Sequence, residues 1–121
     1  MKETILISYN EEYLNILIDN IISNAIKYNK FGGKIEITAE QKFDKLTLRF
    51  FDSGIGMSSI DKDNIFERFY RSNGNTQTGY GLGMAIVKDV CDVTFLRINV
   101  DSELSKHTLI EIDEFVLVNN T

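Results

Sequence analysis

The sequence predicts a two-layer α/β sandwich, with one sheet and its helices packed on one face. Two observations predict it. Apolar residues recur at helical spacing through Leu14, Leu17, Ile18, Ile21, Ile22 and Ala25, and again through Leu82, Ala85, Ile86 and Val90. Between and after these stretches, short runs alternate apolar with polar residues, as half-buried strands do.

Taken in order, Thr4 to Ser8 reads as a short strand. Asn10 is placed to cap the first helix, with Glu11 and Glu12 in the turn where the helix dipole favours acids. Gly32-Gly33 is the stop signal for that helix. Ile35, Ile37 and Ala39, then Leu46, Leu48 and Phe50, flank a Phe43-Asp44 turn and read as a hairpin with one buried face. From Met57 to Tyr80 the periodicity loosens. A helical piece at Ile65-Phe66 with Phe69 leads into Ser72 to Gly79, small and polar residues that mark a mobile loop. After the second helix come strands around Phe95 to Val100 and Thr108 to Ile112. The tail, 115–121, reads as an edge strand or a frayed end.

Composition bounds the function. A chain of 121 residues suits one domain, 1–121, and 43% hydrophobic with 26% charged residues is ordinary for a soluble protein. A net charge of -5 argues against nucleic-acid binding. No apolar run is long enough to span a membrane, and Met1-Lys2-Glu3-Thr4 lacks a signal peptide's apolar region. Cys91 is the only cysteine, which fits a reducing, cytoplasmic setting, and it reads as a small buried side chain.

Chemistry enters with three segments. At about 100° per residue, Asn20, Asn24 and Lys27 share a helical arc of about 60°, beside the apolar face and with Tyr28 at its border. Asparagine is a poor residue inside a helix, so two of them one turn apart ask for a reason. An amide oxygen is a hard ligand suited to nucleotide-bound Mg²⁺, Lys27 could reach phosphates, and Tyr28 could lie near a base. Asp52 ends an apolar strand, with Gly54 and Gly56 following. A carboxylate accepts from the amino group of adenine and repels the carbonyl of guanine, and glycines let the backbone approach a flat base. Gly79-Tyr80-Gly81-Leu82-Gly83 runs into a helix, whose free N–H groups suit phosphate. Met84 replaces the third glycine of a dinucleotide fingerprint, and no lysine follows to make a Walker loop. Each segment alone is matched by a bland alternative: a solvated helix flank, an Asp-Ser-Gly turn, a loop before a helix. Their order is what carries weight.

Together they resemble the catalytic ATP-binding domain of sensor histidine kinases, in the wider group of gyrase, Hsp90 and MutL. Asn20 to Tyr28 resembles that family's N box, Asp52 to Gly56 its G1 box, Ile65 to Arg71 its F box and Gly79 to Gly83 its G2 box. The resemblance implies a Bergerat-type fold, a mixed sheet of about five strands with about three helices. It implies ATP and Mg²⁺ as cofactors. Asn24 would coordinate the metal with support from Asn20, Lys27 and Arg71 would touch phosphates, Tyr28 would flank the adenine and Asp52 would read its amino group. Residues 57–80 would be the ATP lid. The implied partners are a separate phosphoacceptor and dimerisation helical domain and a downstream response regulator, with the isolated domain a monomer.

Three features refine this. ATP-hydrolysing relatives carry a glutamate one turn before the metal-binding asparagine, where this chain has Asn20, so kinase is favoured over ATPase. Cys91-Asp92-Val93 and Lys106-His107-Thr108 stand where the family has glycines and a Gly-Thr. The only histidine, His107, reads as a strand residue rather than a phosphoacceptor. A nucleotide-binding regulatory module and a conformational ATPase are the alternatives.

Overall fold

The computed structural model describes residues 4–70 and 83–118. The chain order is β1 (Ile7–Ser8), α1 (Glu11–Lys27), β2 (Ile35–Lys42), β3 (Lys45–Asp52), α2 (Ser59–Asn64), α3 (Gly83–Val93), β4 (Arg97–Glu103) and β5 (His107–Leu117). β5 is the long central strand. It pairs with β3 along one edge and with both β1 and β4 along the other, and β2 closes the β3 side. Every pairing is antiparallel, so the mixed sheet expected from the resemblance is corrected to an antiparallel one.

Asn10 caps α1 as expected, its side chain accepting from Tyr13 N–H at 2.9 Å. The helix ends at Tyr28, short of Gly32-Gly33, because the Tyr28 carbonyl accepts from Ile55 N–H at 3.1 Å. That bond ties the loop after β3 to the end of α1. α1 packs over β3 and α3 over β4, and the two helices pack on each other. The core between them holds Leu17, Ile21, Phe50, Val87, Cys91, Ile110, Ile112 and Phe115. Cys91 is fully buried, and burial pushes its thiol pKa up to about 11. It is a core side chain.

Two strand expectations change. The first hairpin forms in the expected register, but β2 is largely exposed, with Ile37 at 49% opposite buried Phe50. The β3 half of the hairpin lies under α1. The tail is not an edge strand at Phe115 to Leu117: these residues complete β5 and pair with Lys45, Leu46 and β1. A bulge accounts for the difference. Glu114 has φ 83, and the register of β5 against β3 slips between Leu46 and Leu48. Before the bulge Thr108, Ile110 and Ile112 are buried; after it the phase flips and Phe115 is buried.

α2 also lies earlier than the Ile65-Phe66 signal. Ser58 caps it, its hydroxyl accepting from Asp61 N–H at 3.1 Å, and α2 buries no residue.

The missing glycines after α3 leave a mark. Leu96 N–H reaches the Cys91 carbonyl at 2.9 Å, closing the helix end, and Phe95 sits there at φ 62, 88% exposed. Glycine takes that conformation without steric cost. Phe95→Gly is therefore expected to stabilise the fold by roughly 0.5–1 kcal/mol in chemical denaturation, and a loss of stability would count against this reading.

Candidate nucleotide-binding site

The end of α1, the end of β3 and the start of β5 meet at one pole of the sheet. There a cleft of about 510 Å³ of open space is lined by Asn24, Tyr28, Asp52, Ile55, Gly56, Met57, Ile65, Tyr70 and Thr108. Four of the expected residues are thus brought together: Asn24, Tyr28, Asp52 and Gly56.

Asp52 is the buried acid of the cleft, 8% exposed. Its Oδ1 accepts from Gly54 N–H at 3.0 Å. Burial holds its carboxyl above the usual carboxylate range, partly offset by the Gly54 bond and by His107. The register sets Asp52 opposite Thr108, and Thr108 opposite Ser102, so three polar side chains line up across β3, β5 and β4. The Ser102 hydroxyl lies 3.0 Å from that of Thr108 and accepts from Met57 N–H at 2.8 Å. Thr108 is a cleft residue that the sequence reading did not include. It lies within Lys106-His107-Thr108, and only its register against Asp52 brings it to the cleft.

The chain's own packing requires both glycines after Asp52. A Cβ on Gly54 would come within 2.5 Å of the Tyr28 carbonyl and 2.7 Å of Asp52 Oδ1. A Cβ on Gly56, whose φ is 68, would come within 2.1 Å of the Glu103 carbonyl oxygen. Gly56 lets the loop pass against the β4–β5 turn, where Ser105 N–H donates to the Ile55 carbonyl at 2.6 Å.

Asn20, Lys27 and Gly83 flank the cleft without lining it. Asn20 donates its side-chain N–H to the Ile16 carbonyl at 2.7 Å, which points its amide oxygen at the start of α3. A Cβ on Gly83 would lie 3.1 Å from that oxygen, so the last glycine of the third segment is matched to Asn20. The Lys27 ammonium lies 5.6 Å from the Tyr28 ring centroid. Arg71, Gly79, Tyr80, Gly81 and Leu82, with the 71–80 part of the expected lid, lie outside the described residues.

His107 opens β5 on the opposite face of the sheet from Thr108. Its ring stacks on Phe51, with centroids 5.9 Å apart and 17° between planes, and its Nε2 lies 3.7 Å from Asp101 Oδ2.

This geometry has known counterparts. Residues 9–117 match the family described as histidine kinase-, DNA gyrase B- and HSP90-like ATPase. The chain belongs to that family. Among its relatives, the heme sensor protein HssS of Staphylococcus saprophyticus is 40% identical over 110 residues, covering 91% of this chain and 24% of that protein. The sensor protein kinase WalK of Staphylococcus aureus is 33% identical over 116 residues, covering 92% of this chain and 28% of that protein. The chain thus spans about a quarter of the length of these relatives. Among solved structures, the mycobacterial sensor histidine kinase MprB aligns with a TM-score of 0.82 at 28% identity, covering 91% of this chain and 76% of that one. Full-length ShkA in complex with AMPPNP shares the fold, with a TM-score of 0.84 at 24% identity, covering 97% of this chain and 24% of that one. Within the family, the chain is of the catalytic ATP-binding type found in sensor histidine kinases.

Proposed function

We propose that residues 1–121 act as one catalytic unit that holds Mg·ATP in this cleft and presents the γ-phosphate to a histidine on a separate helical domain. The carrying observation is the convergence of a buried acid, a helix-borne amide and an aromatic ring, Asp52, Asn24 and Tyr28, in one cleft. Asp52 is the acceptor for the adenine amino group, and Tyr28 flanks the base. Lys27 and Arg71 serve the phosphates, with Gly79 to Gly83 cradling them. Asn24 fits a nucleotide-borne Mg²⁺, because its amide is a hard oxygen donor on the cleft wall, and such a metal takes only one or two protein oxygens. When bound, the metal neutralises charge on the transferring group, and the rest of catalysis is positioning. A response regulator would be the downstream partner, and the domain is proposed to be monomeric and cytoplasmic. Among the described residues no helix is long and apolar enough to cross a membrane.

The ATPase alternative is disfavoured by Asn20. An amide cannot take a proton from water at neutral pH, and this one turns its donor to the Ile16 carbonyl and its oxygen to the start of α3. Self-labelling is disfavoured by His107, whose ring lies against Phe51 rather than in the cleft. Incubation with γ-labelled ATP tests both. The isolated chain is expected to bind ATP with neither appreciable phosphate release nor label, and adding the phosphoacceptor helical hairpin of its kinase should yield acid-labile label on that hairpin. Label on His107, or phosphate release abolished by Asn20→Ala, would overturn this division of labour.

A further inference from the structure

The resemblance gives a role to Arg71 but none to the residue before it. Tyr70 lines the same cleft as Asn24, Tyr28 and Asp52. Its hydroxyl donates to the Asp61 carboxylate on α2. That bond holds the phenol pKa above its ordinary value. Asp61 is itself held: its backbone N–H donates to Ser58, and one residue before that cap Met57 N–H donates to Ser102 on β4. A run of hydrogen bonds therefore connects the sheet floor, through α2, to an aromatic ring on the cleft wall.

α2 buries no side chain, so this run adds little to the core. The Tyr70–Asp61 bond is half-buried, and one such hydrogen bond contributes modestly to folding. Its effect is directional. With the hydroxyl occupied by Asp61, the tyrosine has one ring orientation toward the cleft. Without that partner, rotamer freedom would have to be given up when a ligand arrives.

We infer that Tyr70, oriented by Asp61, is a second aromatic wall for the adenine nucleotide. Asp61 is a positioning residue and Tyr70 a binding residue. This rests on the nucleotide-binding reading of the cleft. It adds that the wall is set before the ligand binds, and it makes affinity depend on a side chain, Asp61, that does not line the cleft.

The test is calorimetric titration of the whole chain with ADP and Mg²⁺, using Tyr70→Ala, Tyr70→Phe, Asp61→Ala and the Tyr70→Phe/Asp61→Ala pair. Wild-type protein that binds no ADP would sink the functional reading itself, and the variants are then moot. With wild-type binding intact, Tyr70→Ala is expected to weaken ADP roughly 10-fold or more, and Tyr70→Phe and Asp61→Ala each roughly 3- to 10-fold. The double variant should be no weaker than either single one, because both remove the same bond. Any fall in the melting midpoint of the empty protein should be small beside the loss of affinity, whereas a merely structural role would move the midpoint and leave affinity in step with it. Full additivity, or single variants binding like wild type, would overturn the positioning role of Asp61. Tighter binding by Tyr70→Ala would overturn the wall, because the ring would then be an obstruction.

Discussion

Asp52→Asn is expected to lower affinity for ATP roughly 10- to 150-fold, the effect of losing one charge-assisted hydrogen bond of about 1.5–3 kcal/mol. The amide keeps the shape of the carboxylate but turns a donor toward the adenine amino group or leaves it weakly paired. Preference for ATP over GTP should fall with it. The same substitution should not weaken the empty protein. Burial raises the Asp52 pKa, so ionising this group opposes folding. The stability held by the neutral carboxyl is present below the unfolded-state pKa and is lost as pH rises through the folded one. At neutral pH the asparagine variant should therefore be at least as stable as wild type while binding worse. Affinity should also fall as pH drops through the raised pKa of the free site, and Asp52→Asn should remove that part of the pH profile. Titrations with ATP and GTP between mildly acidic and neutral pH read all of this. Wild-type protein binding GTP as tightly as ATP would remove Asp52 from base recognition.

Gly56→Ala should destabilise the fold by roughly 2–4 kcal/mol, the sum of a left-handed conformation for a residue with a Cβ and a clash with main chain. The added carbon meets the Glu103 carbonyl at 2.1 Å, and a backbone oxygen within a strand pair cannot rotate away as a side chain could. Gly54→Ala has a different signature. Its Cβ meets the Tyr28 carbonyl and Asp52 Oδ1, so it should cost affinity as well as stability. Urea unfolding beside nucleotide titration separates the two. A Gly56→Ala variant as stable as wild type would show that the β4–β5 turn is free to shift.

Much of this was legible in the sequence, for physical reasons that can be named. α1, β3 and α3 each carry a periodic apolar face that ends in the core, and Asn10 announces its cap locally. The convergence of Asn24, Tyr28 and Asp52 could be read because each belongs to a segment with fixed internal spacing. What escaped was non-local. The end of α1 is set by Ile55, 27 residues beyond Tyr28, which takes the Tyr28 carbonyl that would have continued the helix. The bulge at Glu114 reverses the alternation, so Phe115 looked like a new element. Thr108 joins the cleft only through its register with Asp52. The glycines of Asp52-Ser53-Gly54-Ile55-Gly56 read as room for a ligand, and the close approach of the Tyr28 and Glu103 backbone to them could not be read from the segment itself.

The pairing of β1 with the end of β5 has a mechanical consequence. Val118 N–H donates to the Leu6 carbonyl at 2.9 Å, so the two ends of the described chain are clasped together beside the Phe43 hairpin. Asp52 stands at the other end of β3, seven residues from Lys45, a lever of roughly 24 Å along the strand. Force applied through either clasped end therefore reaches the sheet at the pole away from the nucleotide. A turn of about 20° about that clasp would sweep the cleft through roughly 8 Å, carrying a bound nucleotide as a rigid load with no change inside the site.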